Sequence, residues 1–156
     1  MKNLPEILFI SSYPPRECGI ATYTHDLIQA IRTTYCDNFE IRVCAVENSD
    51  QNHAYPKDPH FLLVADEARS YAKLCNEINA DEHIKLVVIQ HEFGLYESQK
   101  AQLGSLLKNI KQPIILAFHT VLPRPDSVLQ QLVQSYVTSV SKVLVMTQTS
   151  ATILHN

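Results

Sequence analysis

Two histidines each follow a short apolar run of the sequence. His91 comes just after the run 86–89 and is followed by Glu92, and His119 comes directly after the run 114–118. In open α/β sheets, ligands bind at the carboxyl ends of the strands, so both histidines are candidates for one site. An imidazole there can donate a hydrogen bond to a hydroxyl or a phosphate, or act as a general base. The alternative is that each histidine only caps its strand end by bonding a backbone carbonyl, but two histidines in equivalent places favour a site.

A loop with two prolines follows the first apolar run, 7–10, and ends at Gly19, where a helical pattern begins. The free N–H groups and partial positive charge of a helix N-terminus suit an anion, and glycine lets a phosphate approach the backbone closely. Arg16 in this loop can add a bidentate contact to a phosphate or a carboxylate. The alternative is that Gly19 only permits a tight turn, and the sequence leaves both interpretations open.

The elements that must position these residues alternate along the chain. Short apolar runs rich in β-branched residues are typical of strands in a parallel sheet that helices cover. Amphipathic stretches with apolar residues at helical spacing lie between them. The alternation predicts an α/β fold: a doubly wound, Rossmann-like parallel sheet with helices on both faces and strand order 3-2-1-4-5. We also expect the two histidine-bearing strands to flank the first one. The predicted strands cover 7–10, 41–46, 86–89, 114–118 and 143–146, with 61–64 as a possible short addition; the predicted helices lie around 20–31, 68–78, 103–110, 128–140 and 149–155, and the segment 47–59 is predicted to be a surface loop.

The composition excludes several classes of protein. The 156 residues carry 13 Lys and Arg against 16 Asp and Glu, a net charge of -3, which argues against a nucleic-acid partner. Only 3 glycines occur, and the glycine-rich motifs of dinucleotide-binding and P-loop proteins are absent. The sequence shows neither a membrane-spanning run nor a secretory signal, and its 4 cysteines lack metal-binding spacing, so we expect a cytoplasmic protein without a metal site.

Three stretches of the sequence resemble one enzyme family. Residues 12–27 (SYPPRECGIATYTHDL), 88–96 (VIQHEFGLY) and 118–123 (FHTVLP) are similar to the N-terminal, acceptor-side domain of bacterial family 4 glycosyltransferases of the GT-B fold. The strand predicted at 143–146 fits the same order, so the resemblance covers essentially the whole chain. The resemblance implies an enzyme that transfers a sugar from a nucleotide-sugar donor to an acceptor hydroxyl with retention, without a metal or a further cofactor.

The resemblance also implies two Rossmann-like lobes that bind different ligands. In this family the N-terminal lobe mainly binds the acceptor, and the C-terminal lobe binds the donor. Residues 1–156 match the N-terminal lobe alone, and the last predicted helix begins near Thr149 and stops at Asn156. We therefore expect a single domain that belongs to a longer protein and is inactive without the donor-binding lobe.

Particular residues acquire roles from the resemblance. Gly19, with Cys18 before it, matches the loop that contacts the donor phosphate. His119 matches a histidine near the transferred sugar, which makes it the candidate catalytic residue. The candidate acceptor-binding residues are Arg16, His91, Glu92, Phe93 and Thr120.

Two other functions stay open. One is a stand-alone α/β module that binds a phosphorylated or sugar ligand without chemistry. The other is a small hydrolase that uses His91, Glu92 and His119, with or without a metal ion. The acceptor expected from the resemblance contains a sugar. If that acceptor is a lipid, the protein contacts the membrane only peripherally, and no basic amphipathic helix is predicted that would strengthen the contact.

Overall fold

A central parallel β-sheet organises the molecule in the computed structural model, which describes residues 4–35, 38–55 and 59–155. Within these residues the sheet has six strands: β1 (Glu6–Ser11), β2 (Glu40–Glu47), β3 (Phe61–Val64), β4 (Ile84–His91), β5 (Ile114–Phe118) and β6 (Lys142–Val145). The α-helices of the same residues are α1 (Gly19–Tyr35), α2 (Ala68–Ala80), α3 (Lys100–Asn109), α4 (Ser127–Val137) and α5 (Gln148–His155). Single turns of 3-10 helix at Phe93–Leu95 and Glu97–Gln99 lie between β4 and α3. None of the helices in this part of the chain combines the length and apolar character needed to span a membrane.

The strand order is β3-β2-β1-β4-β5-β6, and every adjacent pair is parallel. The predicted doubly wound, Rossmann-like α/β fold is confirmed. The predicted order 3-2-1-4-5 of the five predicted strands is wrong, because the third of them, 86–89, lies beside the first strand as β4. The edge position beside β2 belongs to the short strand Phe61–Val64. The expectation that both histidine-bearing strands flank the first strand is wrong, because β4 pairs with β1 whereas β5 pairs with the opposite side of β4.

The two faces of the sheet bury separate apolar clusters because side chains alternate along each strand. In β1, Leu8 and Ile10 belong to the larger cluster, to which α2, α3 and α4 contribute. Phe9, between them, belongs to the smaller cluster, where Ile28 of α1 packs. Strands that are buried on both faces need apolar residues at consecutive positions, which explains the continuous apolar runs of the sequence.

The strand β2 extends further than the sequence predicts. It ends at Glu47, which is 5% exposed and belongs to the strand rather than to the predicted loop 47–59. Glu47 Oε1 accepts a hydrogen bond from the Tyr55 hydroxyl at 2.6 Å and lies 2.7 Å from His53 Nδ1. These contacts tie the loop back to the strand end as far as Tyr55, and positions 56–58 of the predicted loop lie outside the described residues.

An ion cluster joins several elements near the start of the sheet. Arg42 Nη1, in β2, lies 2.7 Å from Glu6 Oε2 of β1 and 2.5 Å from Asp81 Oδ2, which follows α2. The guanidinium carbon of Arg42 lies 4.7 Å from the centroid of the Phe61 ring in β3. The three charged side chains are between 14% and 21% exposed, so the carboxylates have lost most of their water and depend on Arg42.

We expect Arg42→Met to lower the free energy of unfolding by about 2–3 kcal/mol, because Glu6 and Asp81 then keep their charges without a cation. Lys73→Met is the matched control, since Lys73 Nζ lies 3.9 Å from Glu77 Oε1 and the lysine side chain is 76% exposed. The decrease in unfolding free energy caused by Lys73→Met should stay below about 0.5 kcal/mol. Urea denaturation followed by circular dichroism measures the unfolding free energy of both variants. Equal decreases would show that the buried cluster stabilises the fold no more than the exposed ion pair does.

Candidate functional site

The candidate site lies at the edge of the sheet where the parallel strands end. β1 ends at Ser11, β4 ends at His91, and β5 ends at Phe118, directly before His119. α1 begins at Gly19, after the loop that leaves β1. The predicted site residues therefore share the carboxyl edge of the sheet, which is where ligands of open α/β sheets bind.

Cys18 caps the N-terminus of α1. Its backbone oxygen accepts a hydrogen bond from Thr22 N at 3.1 Å, and its Sγ accepts one from Ala21 N at 3.4 Å. The Ser12 Oγ lies 3.1 Å from the same sulfur, which ties the cap to the residue that follows β1. A side chain at this position satisfies one of the N–H groups that helix geometry leaves unpaired. The loop before α1 is thus fixed at both of its ends.

Gly19 faces open space at the start of α1. A Cβ atom added there would meet no heavy atom within 4 Å, and the residue does not have a positive φ. The fold therefore does not require glycine at this position, which argues against the tight-turn alternative. The contact of Gly19 and Cys18 with a donor phosphate stays a prediction.

Arg16 points toward the end of β2. Its Nη1 donates to Val46 O at 3.3 Å and to Gln51 Oε1 at 3.2 Å. These hydrogen bonds hold the guanidinium on the β2 side of the first loop. The role of Arg16 in acceptor binding stays a prediction.

His119 connects three elements of the site. Its Nε2 lies 2.7 Å from Oε1 of Gln90, a β4 residue that is 1% exposed. Its ring packs edge-on against Tyr23 of α1, with 5.0 Å between the ring centroids. Because Tyr23 lies one turn after Gly19, the start of α1 and the imidazole lie side by side. Burial lowers the pKa of His119 and the Glu92 carboxylate partly opposes this shift, so the surroundings favour the uncharged imidazole.

Glu92 is held through both of its carboxylate oxygens. Oε1 accepts a hydrogen bond from Phe93 N at 3.0 Å, and Oε2 accepts one from the Thr120 hydroxyl at 2.6 Å. The second hydrogen bond joins the loop after β4 to the loop after β5. The structure thus brings together three of the predicted acceptor-binding residues, next to His119.

His91 lies in the core. It is 2% exposed, and its Nδ1 has no hydrogen-bond partner among the described residues. Burial and, less strongly, the nearby His119 lower the pKa of His91 to about 4, so this imidazole is uncharged at neutral pH. The role of His91 in acceptor binding stays a prediction. The aromatic rings around it, with centroids 4.7 to 5.8 Å away, are those of Phe93, Tyr96, Phe118 and Tyr136.

An apolar cavity of about 340 Å³ opens beside Thr120. Its walls come from the loop after β5, from α4 and from α5, and none of the described residues that line it is Lys, Arg, Asp or Glu. The Thr120 hydroxyl lies in its lining and donates to the Glu92 carboxylate, so the cavity suits an organic molecule that carries both an apolar part and a hydroxyl. Its lining includes Phe93, Thr120, Leu129, Val133, Ile153 and Leu154.

The residues of the hydrolase alternative are not joined to one another by their side chains. His119 bonds to Gln90, Glu92 bonds to Thr120, and His91 lies among aromatic rings. In residues 4–35, 38–55 and 59–155, no group of three or more His, Cys, Asp or Glu side chains could hold a metal ion.

Sequence reasoning missed Gln90 and Tyr23 as parts of the site. Both lie inside the stretches 88–96 and 12–27 that resemble glycosyltransferases, but a glutamine or a tyrosine alone indicates no particular chemistry. The available signal for Gln90 was its position, because a polar residue that directly follows a buried apolar run needs a hydrogen-bond partner.

Comparison with known proteins supports the fold. No family model and no curated protein matches the chain. Among solved structures, the chain is similar to an alpha-glucosyltransferase in complex with UDP-glucose and DNA containing an abasic site, with a TM-score of 0.52 and 14% sequence identity. The similarity covers 93% of this chain and 42% of the other, so this chain spans less than half the length of that enzyme. The chain therefore has a glycosyltransferase-like fold.

The buried His91 makes the stability of the fold depend on pH. Its pKa in the folded state is about 4, below the ordinary value of 6.5. Well above pH 6.5 the residue is uncharged in both states, so its contribution to stability is complete. As the pH falls from there, the unfolded chain takes up the proton first, and the fold loses up to roughly 3 kcal/mol by the pH at which the folded state also titrates.

We expect His91→Phe to remove this part of the pH dependence. Urea denaturation of the two proteins between pH 7.5 and 4.5 should give free energies of unfolding that fall more steeply for the wild type. His25→Phe is the matched control, because the His25 side chain is 43% exposed, and it should keep the wild-type slope. If His91→Phe keeps that slope as well, His91 does not titrate as its burial implies.

Proposed function

We propose that this chain is the acceptor-side lobe of a retaining glycosyltransferase, which transfers a sugar from a nucleotide-sugar donor to an acceptor hydroxyl. One observation carries the proposal: Tyr23, one turn into α1, packs against the imidazole of His119 with 5.0 Å between ring centroids. This contact sets a helix N-terminus that suits a phosphate beside an imidazole that suits a sugar hydroxyl. A donor that joins a sugar to a phosphate needs both. The glycosyltransferase-like fold and the stretches 12–27, 88–96 and 118–123 support the same function.

The start of α1 is the proposed contact for the donor phosphate. In the proposed reaction the bond between the sugar and the phosphate breaks, and negative charge develops on the departing phosphate. Free N–H groups at a helix N-terminus stabilise such charge without having to reorient. Cys18 fixes this end of the helix, and Gly19 leaves its backbone open to a ligand.

Glu92 and Thr120 are the centre of the proposed acceptor site. Each carboxylate oxygen of Glu92 accepts one hydrogen bond from the protein, and a carboxylate has further lone pairs that can accept a hydroxyl of the acceptor. The cavity lined by Phe93 can take an apolar part of the same molecule. Arg16, on the other side of the first loop, is proposed to contact the acceptor with those of its N–H groups that do not bind Val46 and Gln51.

A second lobe is proposed to bind most of the donor. The chain spans 42% of the length of the similar glucosyltransferase, which supports residues 1–156 as one lobe of a longer protein. We propose that it is the N-terminal lobe, as the stretches 12–27, 88–96 and 118–123 suggest. Sugar transfer needs a closed cleft that excludes water and aligns donor with acceptor. We therefore propose that residues 1–156 alone are inactive.

The acceptor is proposed to be a sugar-containing molecule of the cytoplasm. The only other proposed substrate is a nucleotide sugar, and the proposed reaction uses no metal or cofactor. The similar structure contains DNA, but the net charge of -3 in this chain argues against a nucleic-acid acceptor. If the acceptor is a lipid, the contact with the membrane is peripheral.

The main test replaces His119 in the native polypeptide, whose size is first read from an immunoblot of its source cells. A panel of nucleotide sugars should reveal sugar transfer, and His119→Ala should lower kcat by about 100-fold or more while leaving the protein folded, as its circular dichroism spectrum will show. His25→Ala is the matched control, because it removes another imidazole near the start of α1 that is 43% exposed.

Unchanged turnover in His119→Ala would overturn the assignment of His119. A native polypeptide that binds nucleoside diphosphates but transfers no sugar, with or without partner subunits, would support the binding module instead.

A second test concerns Gly19. We expect Gly19→Ala in the native polypeptide to weaken binding of nucleoside diphosphates about tenfold, because the added methyl group occupies the space through which a phosphate reaches the helix N–H groups. Stability should not fall, since the added Cβ meets no heavy atom within 4 Å. Gly94→Ala has equally open surroundings and should leave the affinity unchanged. Equal affinities of both variants in calorimetry would contradict the phosphate contact.

A further inference from the structure

Gln90 presents its side-chain oxygen to the candidate catalytic imidazole. It lies in β4 one residue before the strand end, is 1% exposed, and its Oε1 lies 2.7 Å from His119 Nε2. A carbonyl oxygen only accepts hydrogen bonds, so this contact requires a proton on Nε2. An uncharged imidazole carries one proton, and its other nitrogen, Nδ1, is then left with a lone pair.

We propose that Gln90 is a positioning residue that holds His119 as the uncharged Nε2–H tautomer, so that Nδ1 accepts a hydrogen bond from a sugar hydroxyl. The nature of the ligand rests on the proposed function, whereas the tautomer is a property of the protein alone. In this state His119 serves as a hydrogen-bond acceptor at Nδ1 and does not donate from that atom.

The surroundings of His119 agree with this state. Tyr23 packs edge-on against the ring, which restricts its rotation. Glu92, the nearby carboxylate, is already bound by Phe93 N and the Thr120 hydroxyl, and no side-chain hydrogen bond joins it to His119 in the described part of the chain. Gln90 is therefore the side chain that decides which imidazole nitrogen carries the proton.

The tautomer has a consequence for ligand choice. A phosphate oxygen and an unprotonated Nδ1 are both acceptors, so His119 in this state disfavours a phosphate and favours a hydroxyl. The start of α1, with its free N–H groups, favours the phosphate. The start of α1 would thus select the phosphate of a donor and His119 a hydroxyl of its sugar. Gln90 sets the preference of His119 because it fixes the tautomer.

The test is long-range ¹H–¹⁵N correlation NMR of the ¹⁵N-labelled chain at pH 7.5, with the His119 signals identified by their loss in His119→Gln. We expect only the Nε2–H tautomer in the wild type. Gln90→Met keeps the length of the side chain but removes the acceptor, and should give a mixture of tautomers. Gln112→Met changes a half-buried glutamine of the α3–β5 loop and should leave the His119 signals unchanged.

A wild-type Nδ1–H tautomer, or a tautomer that Gln90→Met leaves unchanged, would overturn the proposal. Backbone spectra show whether Gln90→Met is folded. If it is not, Gln90→Glu replaces it: a carboxylate beside Nε2 should keep the Nε2–H form and raise the pKa of His119, and an unshifted titration would overturn the proposal.

Activity of the native polypeptide separates this inference from the proposed function. Gln90→Met should lower kcat about tenfold with little change in KM, and Gln90→Glu should move the acidic limb of the pH profile to higher pH. A confirmed tautomer without any sugar transfer would contradict the proposed function and leave the role of Gln90 intact. Sugar transfer that needs His119 but is insensitive to Gln90→Met and Gln90→Glu would contradict the role of Gln90 and leave the proposed function intact.

Discussion

The parallel pairing of β4 with β5 is the contact on which the candidate site depends. His91 and Phe118 are partners at the end of this ladder, and the backbone N–H of His119 donates to His91 O at 2.9 Å, which extends the ladder by one residue. A shift of either strand by one residue would move its side chains to the opposite face of the sheet. The register therefore decides that Gln90 meets His119 and that the loop with Glu92 lies beside the loop after β5.

The core around β4 and β5 also sets the charge state of the site. His91 among aromatic rings and the half-buried His119 both have a lowered pKa, chiefly because burial disfavours the charged imidazole. Two uncharged imidazoles can lie close together without repulsion at neutral pH. The fold thus favours the uncharged form of both imidazoles, and the burial of His91 makes it less stable in acid.

Much of the fold can be predicted from the sequence because burial on both faces of a parallel sheet leaves continuous apolar runs. The runs 86–89 and 114–118 locate β4 and β5, and the start of α1 at Gly19 follows from the change in periodicity. Periodicity does not specify which strand lies beside which, so the neighbours of β5 were predicted wrongly. Tertiary hydrogen bonds determine where the short strand Phe61–Val64 pairs and why β2 ends at Glu47. The local sequence pattern does not reveal these bonds.

The site could be predicted only as a set of positions at one edge. Side-chain partners such as Gln90 with His119, or Tyr23 with His119, join residues that are far apart in the chain, and only the register and the helix packing bring them together. The sequence also could not show that His91 is buried in the core whereas His119 lies at the site, because both histidines follow an apolar run. Their difference arises from the aromatic residues that surround one of them in the core.

The distribution of charge at this edge fits the proposed division of acceptor and donor between two lobes. Its groups beside His119 are a carboxylate, a hydroxyl and uncharged rings, whereas Arg16, in the first loop, bonds to the strand end of β2. A departing phosphate needs positive charge, of which this edge offers the partial charge at the start of α1. Hydrogen-bond acceptors and an apolar cavity suit an acceptor molecule better than a diphosphate. In the proposed function, this edge therefore positions the acceptor and one end of the donor, and the cations needed for the transfer belong to the proposed second lobe.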